Sequence, residues 1–166
     1  MSRAKPLTSL TQFLPFRLTL LSNFVMNVFA DAYRGHGIST PEWRTMMLLA
    51  EFPGISSDEL SDKSKIEKSV VSRLVNGLVT RRLIARSFDP TDKRRSILTL
   101  SVKGKALHDK VKPVADRIEA QLRSSLSEDD DAALDRILTQ LMQIVEKGEL
   151  VKHISSDSGV DGALRR

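Results

Sequence analysis

The sequence predicts a mainly α-helical chain of about six helices, with one small β-hairpin between the fourth and fifth. Three observations carry this. Apolar residues recur at spacings of three and four along most of the chain. Only Leu83–Arg86 and Ser96–Leu100 read as strands. Leu, Val, Ile and Met outweigh the aromatics, which make up 5 % and suit a helical core better than a β-sandwich. At 166 residues the chain can hold one domain with a sizeable core, or a small domain with a helical arm.

Residues 1–9 are polar, contain Pro6 and read as a flexible arm. From Leu10 to Tyr33, the residues Leu18, Leu21, Val25, Val28 and Ala32 form one helical stripe. Leu20, Phe24 and Phe29 widen the apolar surface, so this helix needs more than one neighbour, a second subunit among the candidates. Gly35 and Gly37 end it. Thr40-Pro41-Glu42 begins a second helix, with Thr40 as cap, Pro41 at the first position and Glu42 at the positive end of the dipole. Trp43, Met46, Met47 and Ala50 form its apolar face, and Pro53-Gly54 stops it.

Ser56 and Ser57 can cap a short third helix to about Lys63 with Leu60 inward. The fourth helix, about 67–81, carries Val71, Leu74, Val75 and Leu78 at i, i+3, i+4 and i+7. Its other face holds Lys68, Ser69, Val70, Ser72, Arg73 and Asn76. A hairpin over about 83–100 follows; its connection, Ser87 to Arg95, is too long for a tight turn and projects as a wing. Ser101 or Lys103 leads into a fifth helix to about Leu126, with Pro113 a predicted kink. Ser127 and the acidic run to Asp130 start a sixth, which Gly148 ends; residues 148–166 read as a frayed tail. A short helix, a turn, a second helix and a charged hairpin have the layout of a winged helix-turn-helix.

Charge points to the same segment. Of 26 basic and 21 acidic residues, Ser56–Lys105 holds 12 and 6, leaving 14 and 15 elsewhere. The whole positive excess lies there, which favours a polyanion. The fourth helix can enter a major groove about 12 Å wide. Ser69, Ser72 and Asn76 can bond base edges or phosphates, Arg73 can grip guanine or phosphate through its fork, and Val70 can touch a thymine methyl. Lys93, Arg94 and Arg95 form three consecutive cations at the wing, where an Arg can enter a narrow minor groove, with Asp92 to orient Arg94. Lys68, Lys93 and Arg95 suit phosphates.

The run from Pro53 to Leu107 resembles the winged-helix core of the MarR family of bacterial transcriptional regulators. The matching features are Pro53-Gly54, Glu59-Leu60, Lys68-Ser69, Ser72-Arg73-Leu74, Leu78, Leu83-Ile84-x-Arg86, Asp89-Pro90-x-Asp92-x-Arg94 and Leu100-Ser101-x-Lys103-Gly104-Lys105. With the flanking helices, the likeness covers about residues 10–147. It implies a homodimer whose dimerisation region comprises 10–36 and 101–147, with a DNA-binding domain over 38–100 that occupies a pseudopalindromic operator. It places Ser72 and Arg73 at recognition-helix contacts and Arg94 in the minor groove. Two residues depart from the family pattern. Arg82 stands where the family usually has Gly, in a turn where positive φ is often wanted, and Ala85 replaces a frequent Glu.

The resemblance also implies an effector, a small aromatic or acyl anion held between the dimerisation helices and the winged lobe. Phe29, Tyr33, Arg34, His36, Trp43, Arg44 and Met47 cluster in sequence near that junction, an aromatic floor beside cations. The competing reading takes Phe29, Trp43 and Met47 as ordinary core and His36 as a loop residue between glycines. The chain has no cysteine, which excludes disulfides, cysteine–zinc sites and thiol sensing. His36, His108 and His153 are scattered, and no catalytic residue, metal site or cofactor is predicted. The apolar run from Phe13 to Ala30 is broken by Pro15, Arg17 and Asn23, so neither a signal peptide nor a membrane span is expected, and the protein is taken as cytoplasmic. A winged-helix module docking an acidic protein partner is the alternative.

Overall fold

The computed structural model describes residues 9–88 and 96–148. The predicted arm and tail therefore lie outside the described residues, apart from Ser9 and Gly148, as does the wing tip with Lys93, Arg94 and Arg95. The chain is mainly helical, with six α-helices and a two-stranded antiparallel hairpin among the described residues. It divides into two compact units, Met1–Ile118 and Glu119–Arg166.

In the first unit, a 3-10 turn at Leu10–Gln12 precedes α1 (Leu14–Arg34). Pro15 falls in its first turn, where a missing N–H costs nothing. Gly35 closes α1, and Gly37 takes φ +64° in the turn that follows. The predicted cap of α2 (Thr40–Glu51) shifts by one residue. Ser39, in extended backbone, is the N-cap, and Thr40 is already helical. Ser39 donates its backbone N–H and its hydroxyl to Glu42 Oε2, at 2.9 and 2.8 Å.

Gly54, at φ +91°, turns the chain out of α2. Its N–H donates to Leu98 O at 2.9 Å, and Leu98 N–H returns a bond to Ile55 O at 3.0 Å. The α2–α3 connection is thereby stitched to the hairpin. Helix α3 (Ser57–Ser64) starts with Ser56 and Glu59 capping each other and ends at Lys65 with φ +55°. Two buried serines close the turn after it: Ser61 Oγ donates to Ile66 O at 2.6 Å, and Ser64 Oγ accepts from Ile66 N–H at 3.3 Å. A hydroxyl so used satisfies a backbone group that burial would otherwise leave unpaired.

Helix α4 (Lys68–Thr80) buries Val71, Val75 and Leu78, and Leu74 is half-buried. Strand β1 is Ile84–Phe88, starting one residue and ending two residues later than predicted; β2 is Ser96–Leu100, with Ile84 opposite Leu100 and Arg86 opposite Leu98. Helix α5 (Val102–Arg123) is helical through Pro113 and ends three residues before the predicted Leu126, where Ser124–Leu126 forms a turn. The core joins Tyr33, Ile38, Trp43, Met46, Leu49, Leu60, Val71, Val75, Leu78, Leu83, Ile84, Leu98 and Val111. Burying each large aliphatic side chain is worth roughly 1.5–3 kcal/mol, so this cluster fixes how α4 lies.

The second unit holds the end of α5 and α6 (Glu128–Glu146). Ser127 caps α6 by accepting from Asp130 N–H at 3.2 Å, and four acidic residues occupy its first turn. Arg123 donates to Glu119 (2.7 Å), Asp131 (2.6 Å) and Asp135 (3.1 Å), which holds its guanidinium well above the usual range.

Candidate nucleic-acid interface

Helix α4 turns its apolar stripe to the core, which leaves Lys68, Ser69, Ser72, Arg73 and Asn76 exposed, with Val70 half-buried. Ser69, Arg73 and Asn76 stand at i, i+4 and i+7, so they share one face of the helix. Lys68 pairs with Asp58 of α3 at 2.7 Å, and that hydrogen bond keeps its ammonium more firmly protonated than usual. Ser69 donates to Glu67 Oε1 at 2.8 Å. Arg73 has no hydrogen-bond or ion-pair partner among the described residues, so its five donors are available to a ligand.

Both ends of α4 are anchored. At the C-terminal end, Arg81 donates to Glu42 Oε1 (2.7 Å) and to Gly37 O (2.6 Å). Partial burial alone would raise Glu42. The Ser39 N–H and hydroxyl and the Arg81 guanidinium outweigh it and hold the carboxyl below its ordinary range. The next residue, Arg82, has φ +60°. This is the turn in which the family pattern favours glycine, and here an arginine takes the left-handed conformation. Its carbonyl accepts from Ser101 Oγ at 2.6 Å, and Lys103 Nζ donates to Arg81 O at 3.2 Å. Gly104 lies so close behind this turn that an added Cβ would sit 1.9 Å from Leu83 O. The start of α5 thus braces the junction between α4 and the hairpin.

One residue of this surface was not among the sequence candidates. Arg86 on β1 donates to Asn76 Oδ1 at 3.0 Å. The hairpin and α4 are ten residues apart at these positions, and no helical or strand period links them; only the folded turn brings them together.

The predicted effector residues are dispersed in their environments. Tyr33 and Trp43 are core residues, 1 % and 2 % exposed. Phe29, Tyr33, Trp43 and His108 form a run of adjacent rings, with centroids 5.6, 5.5 and 5.2 Å apart. Burial, with Asp116 adding to it, pushes the Tyr33 hydroxyl up to about 12. Trp43 Nε1 and His36 Nδ1 are buried without a hydrogen-bond partner among the described residues. Arg34, Arg44 and Met47 are exposed, and Arg34 pairs with Asp31 at 2.7 Å. A cleft of about 450 Å³ runs between Ala30, Arg34 and the segment Gly37–Pro41. Of the predicted effector residues it takes in Arg34 alone. Among the described residues no cluster of His, Asp or Glu could hold a metal ion, and no helix is long and apolar enough to cross a membrane.

A helix that presents donors, backed by a buried stripe and followed by a hairpin, is a winged helix-turn-helix. Comparison with known proteins agrees. Residues 36–95 match the model of the MarR family. Transcriptional regulator HosA of Escherichia coli O111:H- is 23% identical over 105 residues, which cover 63% of this chain and 78% of that protein. A probable transcriptional regulator from Pseudomonas aeruginosa is 26% identical with a TM-score of 0.74, over 80% of this chain and 99% of that one. The transcriptional repressor CouR, in a structure bound to a 23-mer DNA duplex, is 26% identical with a TM-score of 0.75, over 85% of this chain and 99% of that one. The chain is thus similar, over its winged-helix segment, to transcriptional regulators of the MarR family.

Proposed function

We propose that the protein is a repressor that binds a pseudopalindromic duplex operator as a homodimer and acts by occupancy, with no catalytic step. The carrying observation is the outer face of α4. Its donors stand clear of the core, and Arg73 has no partner among the described residues. CouR, of similar sequence and fold, has a structure with a DNA duplex, which supports the same use of the lobe here. In this reading Ser69, Ser72, Arg73 and Asn76 read or anchor in the major groove, and Val70 meets a thymine methyl. Arg94 enters the minor groove, and Lys68, Lys93 and Arg95 hold phosphates. Dimerisation falls to 10–36 and 101–147, where Leu21, Phe24 and Val28 on α1 and Met142 and Val145 on α6 are exposed. A small aromatic or acyl anion is the proposed effector, with the Arg34 cleft and the neighbouring ring cluster as its region.

The test is selection of sequences from a random duplex pool, then titration of the selected operator with Arg73→Ala. The expected loss is about 1–3 kcal/mol of binding, with relaxed preference at one base pair. Enrichment of no sequence, together with capture of acidic protein, would replace this reading with the partner-docking one.

A further inference from the structure

We infer that Arg86 is a positioning residue for sequence recognition. It sets the orientation of the Asn76 carboxamide, so that this side chain offers its donors and favours guanine N7 and O6 or thymine O4 over adenine, whose N7 acceptor is flanked by the N6–H₂ donor. The inference rests on the proposed use of α4 in the major groove.

An asparagine amide has an acceptor end and a donor end, and it can turn to offer either. A guanidinium has donors only. The bond from Arg86 to Asn76 Oδ1, 3.0 Å long, therefore leaves a single arrangement: oxygen toward the hairpin, NH₂ away from it. Asn76 lies on the same face as Ser69 and Arg73, so its free end joins theirs. Two of these groups, the Arg73 fork and the Asn76 NH₂, then offer only donors. Guanine N7 and O6 and thymine O4 accept such bonds. Adenine, whose N7 also accepts, is usually read by an amide that donates to N7 and accepts from N6 at once, which needs the oxygen turned to the base, whereas Arg86 holds it toward the hairpin. Arg86 is held for this task by the sheet: it is paired opposite the buried Leu98, whose backbone is in turn bonded to Gly54 and Ile55.

The experiment starts from the operator selected by the wild-type protein. Affinities are measured for all single base-pair changes with Asn76→Ala, Arg86→Met, Arg86→Gln and the Asn76→Ala/Arg86→Met double variant, each confirmed folded by thermal melting. Asn76→Ala should flatten discrimination at one base pair by about tenfold. Arg86→Met should relax that same pair toward adenine by a similar factor, and the double variant should go no further than Asn76→Ala. Arg86→Gln, which keeps an N–H donor, should restore part of the preference. If Arg86→Met weakens all sequences equally, with a shallower salt dependence, Arg86 is only a phosphate cation and the inference is overturned. Unchanged discrimination in Asn76→Ala overturns it too. A wild-type protein that selects no sequence would instead remove the reading beneath it.

Discussion

Arg82 is the residue with the least comfortable backbone near the proposed interface. At φ +60° its Cβ crowds the following carbonyl, a conformation that costs an L-residue about 1 kcal/mol or more and glycine almost nothing. The turn persists because its neighbours determine it. Leu83 N–H returns to Leu78 O at 2.8 Å, and Ser101 Oγ holds the Arg82 carbonyl. Arg82→Gly should therefore stabilise the fold by about 0.5–1 kcal/mol, less than the full relief because glycine gains freedom when unfolded. A urea midpoint equal to or below that of the wild type would refute this. Gly104 shows the opposite constraint: its φ is ordinary, but Leu83 O leaves no space for a side chain. The spacing Ser101-x-Lys103-Gly104 is legible as a helix start, whereas the reason for the glycine is a contact with a residue on another element.

At the scale of elements, the helices were readable because an amphipathic helix writes its period into the sequence. Val71, Val75 and Leu78 face inward as their spacing predicts. Connections were less readable, since they depend on hydrogen bonds between segments. The αL residue Lys65, the serine-closed turn after α3 and the stitch between Leu98 and Gly54–Ile55 have no periodic signature. The Arg81–Glu42 bridge belongs here too, because it ties the end of α4 to the start of α2. Glu42 has its folded pKa held below the ordinary 4.5. Its contribution to stability is complete above about pH 5 and fades as pH falls through the depressed folded value. Glu42→Gln should cost under about 1 kcal/mol at pH 7, since the Arg81 partner is substantially exposed. The gap between wild type and variant should close toward pH 3. A gap in urea denaturation that stays constant from pH 7 to pH 3 would show that the carboxylate charge contributes nothing.

For the whole molecule, the proposed function needs two lobes held at a fixed separation, because half-sites on one face of the duplex lie one helical turn, about 34–36 Å, apart. A single lobe would bind with a fraction of the contacts. Helix α6 leaves Leu134, Ile137, Leu138, Met142 and Val145 exposed at helical spacing, more apolar surface than a lone solvated helix carries. The chain should sediment as a dimer. Ile137→Glu, which puts a charge on that stripe, should shift it toward monomer and reduce operator affinity with α4 unaltered. A monomeric wild type, or a variant that stays dimeric, would count against this face as the subunit contact.

The sequence by itself determined the helical class, the order of the elements, the place of the hairpin and the face of α4 that carries Ser69, Ser72, Arg73 and Asn76. These follow from local periodicity and charge, which survive in a one-dimensional string. It also marked Arg82 as an anomaly. Only the tertiary structure decided that Tyr33 and Trp43 are core while Arg34 lines a cleft, since a ring near a cation in sequence can face either way. Only the tertiary structure brought Arg86 to Asn76 and Arg81 to Glu42, because bonds between elements are set by how the buried stripes pack.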